Sequence, residues 1–128
     1  MIRRSGAGGE LQIFFVAGES SGDTHGAHLV EALRAACPDV CCEGLGGVQM
    51  EAAGMKLRYD LAGRAIMGFT EVLHSLAFIR RLFLETVTYL KETRPDCLVL
   101  IDYPGFNIRL AKQAKALGIP VVYYISPQ

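Results

Sequence analysis

The sequence has no excess of charge of either sign, since its 13 Lys and Arg side chains balance its 13 Asp and Glu side chains. A chain without net positive charge has little long-range attraction for the phosphates of nucleic acid. The sequence also has no apolar run close to the roughly 20 residues that a helix needs to cross a bilayer. We therefore expect no nucleic-acid partner, no membrane-spanning helix and, at most, contact with a membrane surface.

The sequence is equally poor in patterns that hold disulfides or metal ions. None of its four cysteines belongs to a CxxC pair, and three stand in apolar surroundings, where a thiol behaves as a small hydrophobic side chain. His25 and His28 share a helix face, but no Cys, Asp or Glu is spaced to complete a coordination sphere. These features predict no metal site, no cofactor and a location in the reducing cytoplasm.

What the sequence does contain is enough apolar residues for one folded domain. They make up 51% of the chain, which is sufficient for a core at this length. Residues 1–10 are rich in glycine and predict a flexible leader. The apolar run that follows them is short and ends at Gly-Glu instead of a small-residue cleavage site, so we expect no export signal. Residues 11–128 predict one domain without internal repeats.

Apolar runs alternate with helical patterns along that domain. This alternation predicts right-handed βαβ crossovers and an α/β, Rossmann-like parallel sheet with helices on both faces. The predicted strands are 11–17, 40–45, 55–59, 96–104 and 119–125, and the predicted helices are 24–36, 48–53, 69–93 and 106–117. No helix follows the last strand, so we expect the architecture to continue beyond this chain.

Ligands of open parallel sheets bind beyond the carboxyl ends of the strands, and two such positions carry polar groups. The first consists of Gly18, Glu19, Ser20, Ser21, Gly22 and Asp23. Its glycines permit a tight turn, and the next helix offers free N–H groups to a phosphate or a sugar. The spacing matches neither a dinucleotide fingerprint nor a P-loop. A turn in which Asp23 merely caps the following helix is an equally good interpretation.

The second position is Asp102, which directly follows the apolar run LVLI at 98–101. A carboxylate at the mouth of the crevice is a candidate general base, because it can take a proton from an attacking sugar hydroxyl. The alternative is a carboxylate that only caps the helix predicted from residue 106. Asn107 could also fill that capping role.

The segment 69–89 has more apolar residues than one buried helix face needs, and a pair of arginines interrupts it. An over-wide apolar face beside cations is typical of a helix that lies in a lipid interface. A helix buried on two sides explains the pattern equally well.

Six pieces of the sequence, in this order, resemble the lipid-A-disaccharide synthase family. They are AGESSGD at 17–23, HGA at 25–27, GLGGVQM at 44–50, AIMGFTEVL at 65–73, RPDCLVLIDYPGFN at 94–107 and YYISPQ at 123–128. Each piece is weak alone, but their shared order argues against a chance match. The resemblance covers nearly all of residues 11–128.

The resemblance implies an inverting glycosyltransferase of lipid A biosynthesis. Members of the family join UDP-2,3-diacylglucosamine to 2,3-diacylglucosamine 1-phosphate and release UDP. By this resemblance Asp102 is the general base on the acceptor's 6-hydroxyl, and residues 18–23, Met67 and Asn107 contact substrate. The resemblance further implies contact with acyl chains or with the cytoplasmic side of the inner membrane. The residues that would make this contact are Phe69, Val72, Leu73 and Leu76.

The family fold is of the GT-B type, with two Rossmann-like domains facing a cleft and the UDP-sugar held mainly by the C-terminal one. By resemblance this chain is the N-terminal, acceptor-side domain, truncated before the donor domain. Two alternatives stay open. One is a catalytically incomplete fragment that binds acceptor or membrane, and the other is a flavodoxin-like nucleotide-binding module that uses residues 18–23 as an anion loop.

Overall fold

The computed structural model describes residues 10–62 and 75–124. Its strands are β1 (Gln12–Ala17), β2 (Cys41–Gly46), β3 (Lys56–Asp60), β4 (Cys97–Ile101) and β5 (Val121–Tyr124). Its described helices are α1 (Ser20–Ala36), α2 (Val48–Ala52), α3 (Leu76–Thr93) and α4 (Pro104–Ala116). Each predicted strand is therefore confirmed, with bounds shifted by a few residues.

The five strands form one parallel sheet in the order β3-β2-β1-β4-β5. This is the order of the first five strands of a Rossmann fold, and it confirms the predicted fold class. A flavodoxin-like sheet has the order 2-1-3-4-5 instead. The flavodoxin-like alternative is therefore wrong.

Each central strand is buried on both faces, which explains why it reads as an unbroken apolar run. In β1, Phe14 and Val16 point into a core shared with α3 and α4. Phe15 and Ala17 point into a second core shared with α1 and α2. The described helices thus cover both faces of the sheet, as predicted.

Helix α1 begins at Ser20, four residues before the start predicted at residue 24. The extended backbone of Glu19 makes it the N-cap, and the first intrahelical bond runs from the Asp23 N–H to the Glu19 carbonyl at 2.9 Å. The interpretation in which Asp23 caps this helix is therefore wrong. Asp23 lies inside the first turn, where its side chain is free to reach another element.

Helix α3 begins later than the start predicted at residue 69. Ser75 has an extended backbone, and its hydroxyl accepts a hydrogen bond from the Phe78 N–H at 3.4 Å, which makes it the N-cap. Residues 69–74 lie outside the described part of the chain. Within the described part, no helix combines the length and the apolar character that spanning a membrane requires.

Candidate active site

The order of the sheet reverses between β1 and β4, because the chain runs outward from β1 to β3 and then crosses back to β4. In open α/β sheets the ligand crevice lies at this switch point, beyond the carboxyl ends of the two strands. Ala17 pairs with Ile101 across these strands. Gly18 follows Ala17 and Asp102 follows Ile101, so these two residues lie side by side just beyond the ends of their strands.

The turn after β1 is covered by an aromatic ring. Gly18 is buried, and a Cβ at this position would lie 2.6 Å from ring atoms of Tyr103, so only glycine fits beneath the ring. The ring also stacks on Phe106, with 5.5 Å between centroids and 20° between planes. Tyr103 thus packs the turn after β1 against the turn after β4.

The N-terminus of α1 lies beside that ring. Among the residues that the structure describes, no side chain caps it, and Ser20 and Ser21 are exposed in its first turn. Free N–H groups at a helix N-terminus attract anions. Substrate contact by Gly18 to Gly22 stays a prediction, and this geometry is consistent with it.

Asp23 has a different partner. It is only 2% exposed, and its carboxylate accepts hydrogen bonds from the backbone N–H groups of Gln49 at 3.1 Å and Met50 at 2.9 Å. These groups form the N-terminus of α2, so Asp23 caps a helix 25 residues away along the chain. Both of its oxygens are occupied within the protein, and this geometry does not favour the substrate contact predicted for it.

Removing this cap should destabilise the fold. We expect Asp23→Ala to lower the free energy of unfolding by about 1–3 kcal/mol, because it leaves one buried and one part-buried N–H group of α2 without a partner. Urea unfolding followed by circular dichroism measures the loss. Glu31→Ala, at an exposed acid on the same helix, is the control and should change stability by less than about 0.5 kcal/mol. Equal losses in the two variants would contradict the role of Asp23.

The turn after β4 has an unusual backbone. Asp102 and Tyr103 both adopt left-handed conformations, with φ of 51° and 55°. The N-cap of α4 is Tyr103, without any side-chain cap, so the alternative in which Asp102 or Asn107 caps this helix is wrong. Asp102 is half-buried beside the switch point. This position suits the predicted general base.

Two side chains hold the backbone of Asp102. Its carbonyl accepts a hydrogen bond from the Asn107 side-chain amide at 2.7 Å and another from the Tyr123 hydroxyl at 2.9 Å. Asn107 is fully buried, so this geometry does not favour the substrate contact predicted for it. The sequence predicted Tyr123 only as a residue of the last strand. Its hydrogen-bond partner lies 21 residues earlier in the chain, and no local sequence pattern indicates such a distant contact.

The hydroxyls of Tyr103 and Tyr123 stay protonated at neutral pH. Burial raises the pKa of Tyr103, and the negative charge of Glu19 raises it further. Burial likewise raises the pKa of Tyr123, with a further contribution from the charge of Asp102. Both groups can therefore act as hydrogen-bond donors at the edge of the crevice.

A mostly apolar groove, which two arginines also line, lies between α3 and α4. Its volume is about 310 Å³, and it is lined by Leu76, Ile79, Arg80, Phe83, Gly105, Phe106 and Arg109. Leu76 is 81% exposed, although leucine is usually buried. Met67, Phe69, Val72 and Leu73, which were predicted to contact substrate, acyl chains or membrane, lie outside the described residues.

A second polar cluster lies away from the switch point. The Tyr89 hydroxyl donates to Glu43 at 2.5 Å, and Arg58 lies 3.7 Å from that carboxylate and 3.9 Å from the centre of the Tyr89 ring. The three side chains contact one another, and Arg58 and Tyr89 also line a groove of about 490 Å³ beside α3. Over residues 10–62 and 75–124 no group of His, Cys, Asp and Glu is arranged to hold a metal ion.

This fold and this site define a class of protein. It is a Rossmann-like α/β domain in which a carboxylate and an uncapped helix N-terminus flank the switch point, an arrangement suited to phosphorylated or sugar ligands. The family model described as lipid-A-disaccharide synthetase matches residues 13–128. The chain belongs to this family.

Curated relatives carry the same name. The chain is 48% identical over 118 residues to lipid-A-disaccharide synthase 1 of Legionella pneumophila strain Philadelphia 1, a match that covers 91% of this chain and 31% of that protein. It is 47% identical over 116 residues to lipid-A-disaccharide synthase of Myxococcus xanthus, covering 91% of this chain and 30% of that protein. The enzyme of Trichlorobacter lovleyi is 49% identical over 117 residues, again with 91% and 30% coverage. The chain thus spans about 30% of the length of these relatives.

Proposed function

We propose that this chain is the acceptor-side domain of a lipid-A-disaccharide synthase. In this reaction Asp102 takes the proton from the 6-hydroxyl of 2,3-diacylglucosamine 1-phosphate while that oxygen attacks the anomeric carbon of UDP-2,3-diacylglucosamine. The bond from that carbon to UDP breaks with inversion, and UDP leaves with the bonding electrons. The observation that carries the proposal is a carboxylate at the switch point of a Rossmann-like domain that belongs to this family.

The crevice contains other groups that suit an amino sugar phosphate. The open N-terminus of α1 offers N–H groups to a phosphate, and the exposed hydroxyls of Ser20 and Ser21 can bond a sugar. Because Gly18 has no side chain, the turn fits beneath the Tyr103 ring, and the backbone of Gly18 lies close to the crevice. In this proposal the UDP group is held by a second, C-terminal domain that corresponds to the rest of the relatives' length.

The intact mass of the native gene product, together with a UDP-release assay on it, tests this proposal. We expect a mass about three times the 13.9 kDa of this chain, and UDP release that needs both sugar substrates. A product of about 13.9 kDa that binds the acceptor without releasing UDP would establish the alternative, an acceptor-binding module. A full-length product that releases no UDP would refute the synthase assignment.

We also propose that the groove between α3 and α4 faces acyl chains at the cytoplasmic side of the inner membrane. Its lining is mostly apolar, Leu76 is 81% exposed, and two exposed arginines, Arg80 and Arg109, also line it. Apolar side chains beside cations favour a surface that carries anionic lipid headgroups. The proposal also includes four residues that precede α3 in the sequence, namely Met67, Phe69, Val72 and Leu73.

Removing the apolar groups should weaken this contact. We expect the triple variant Phe69→Ser, Leu73→Ser and Leu76→Ser to sediment with anionic phospholipid vesicles at least tenfold less than the unmodified protein, since each change removes about 2 kcal/mol of burial in lipid. The control is Val48→Ser on α2, which lies on the opposite face of the sheet and is 60% exposed. Unchanged sedimentation of the triple variant would refute the lipid contact.

A further inference from the structure

The backbone at the candidate base is strained and needs support. Asp102 and Tyr103 are consecutive residues with left-handed φ values, and neither is glycine. Such conformations cost on the order of 1–3 kcal/mol each, and they persist only where the surrounding structure enforces them. Strain of this kind is concentrated where a side chain must be presented in one orientation. The contacts that enforce it are therefore part of the site.

Asn107 supplies the first of these contacts. Its side-chain nitrogen donates to the carbonyl of Asp102 at 2.7 Å and lies 3.4 Å from the carbonyl of Val16 on β1. Because both neighbours are acceptors, the nitrogen and not the oxygen of the amide must face them. The opposite atom, Oδ1, is buried without a partner among the described residues. An unpaired buried acceptor lowers the stability of the fold, but this orientation of the Asn107 amide holds the Asp102 carbonyl in place.

Tyr123 supplies the second contact from a different element. It lies on β5, next to β4 in the sheet, and Leu100 is its partner in the register. From there its hydroxyl reaches over the end of β4 and donates to the Asp102 carbonyl at 2.9 Å. Its raised pKa keeps this proton in place at neutral and mildly alkaline pH. The carbonyl is thus held from α4 and from β5 at once.

We propose that Tyr123 and Asn107 are positioning residues of the transfer reaction, which clamp the Asp102 carbonyl and so orient the carboxylate that accepts the acceptor's proton. This inference rests on the proposed function. Neither residue needs to touch substrate, because each acts through the backbone of Asp102. A misplacement of about 1 Å at a reacting group can lower a rate about a hundredfold. Loosening the turn at Asp102 should therefore lower kcat.

The test is a double-mutant cycle in the full-length synthase, with UDP release as the readout. Tyr123→Phe removes one hydroxyl and keeps the ring, and we expect it to lower kcat about tenfold with KM for the acceptor changed less than threefold. Tyr124→Phe, in the same strand and without a described hydrogen bond from its hydroxyl, is the matched control and should keep the wild-type kcat. Asp102→Asn alone gives the residual rate without the base.

The double variant Asp102→Asn, Tyr123→Phe separates positioning from general structural damage. If Tyr123 acts through the base, its loss should change the residual rate of Asp102→Asn by less than twofold, because there is no longer a base to orient. A tenfold loss in both backgrounds would mean that Tyr123 only supports the fold, and it would overturn the inference. So would a wild-type kcat in Tyr123→Phe.

The same experiment distinguishes failure of this inference from failure of the proposed function. If the wild-type protein releases no UDP, or if Asp102→Asn is as active as wild type, the assignment of the base is wrong and the positioning role falls with it. If Asp102→Asn is inactive while Tyr123→Phe is unimpaired, the base assignment stands and the clamp alone is wrong.

Discussion

Asp102→Asn in the full-length synthase is expected to lower kcat for UDP release by about 10²- to 10⁴-fold, the usual contribution of a general base. The amide has nearly the size of the carboxylate but cannot take a proton from the acceptor hydroxyl. The bonds that hold the turn are accepted by the Asp102 carbonyl and not by its side chain. The variant should therefore fold normally and bind the acceptor with similar affinity.

The measurement is steady-state UDP release, with circular dichroism as the check on folding. Asp39→Asn is the control, because this carboxylate is exposed in the turn after α1 and lies outside the crevice. It should leave kcat within about twofold of wild type. Turnover of Asp102→Asn within tenfold of wild type would refute its role as base and direct attention to another acid of the crevice, with Glu19 the first to examine.

The fold was predictable because the information that specifies it is local. Unbroken apolar runs such as the one over 12–17 indicate strands buried on both faces, and regular helix patterns between them indicate crossovers. The position of Asp102 followed from the same logic, since a residue that ends a central strand reaches the crevice. No knowledge of distant contacts was needed for either prediction.

The roles of Asp23, Asn107 and Tyr123 were not predictable in this way. Asp23 sits where a capping residue for α1 would be expected, but its carboxylate meets backbone groups 26 and 27 residues later in the chain. Tyr123 reaches a carbonyl 21 residues earlier. Such contacts depend on how the elements pack against one another. The hydrophobic periodicity around Asp23 or around Tyr123 does not indicate them. The left-handed backbone of Asp102 and Tyr103 is likewise enforced by packing and not by a glycine.

The largest effect on stability should come from Gly44, where β2 pairs with the central strand β1. Gly44 on β2 pairs with Phe15 on β1 and has a φ of 155°. A Cβ there would lie 2.0 Å from the Phe15 carbonyl oxygen and 2.7 Å from the Phe15 nitrogen. Both atoms belong to the backbone of a strand that is buried on its two faces, so neither can move aside without breaking the ladder.

We expect Gly44→Ala to lower the free energy of unfolding by about 4 kcal/mol or more, the range reached when a substitution forces backbone strain in a core. Since small domains have about 5–15 kcal/mol in total, this loss would remove a large share of the domain's stability. Thermal and urea unfolding followed by circular dichroism measure this loss. Gly105→Ala is the control, because a Cβ in its helical position meets nothing within 4 Å and should stabilise α4 slightly or leave it unchanged. If Gly44→Ala were as stable as Gly105→Ala, strands β1 and β2 could not pair in the register that places Gly44 opposite Phe15.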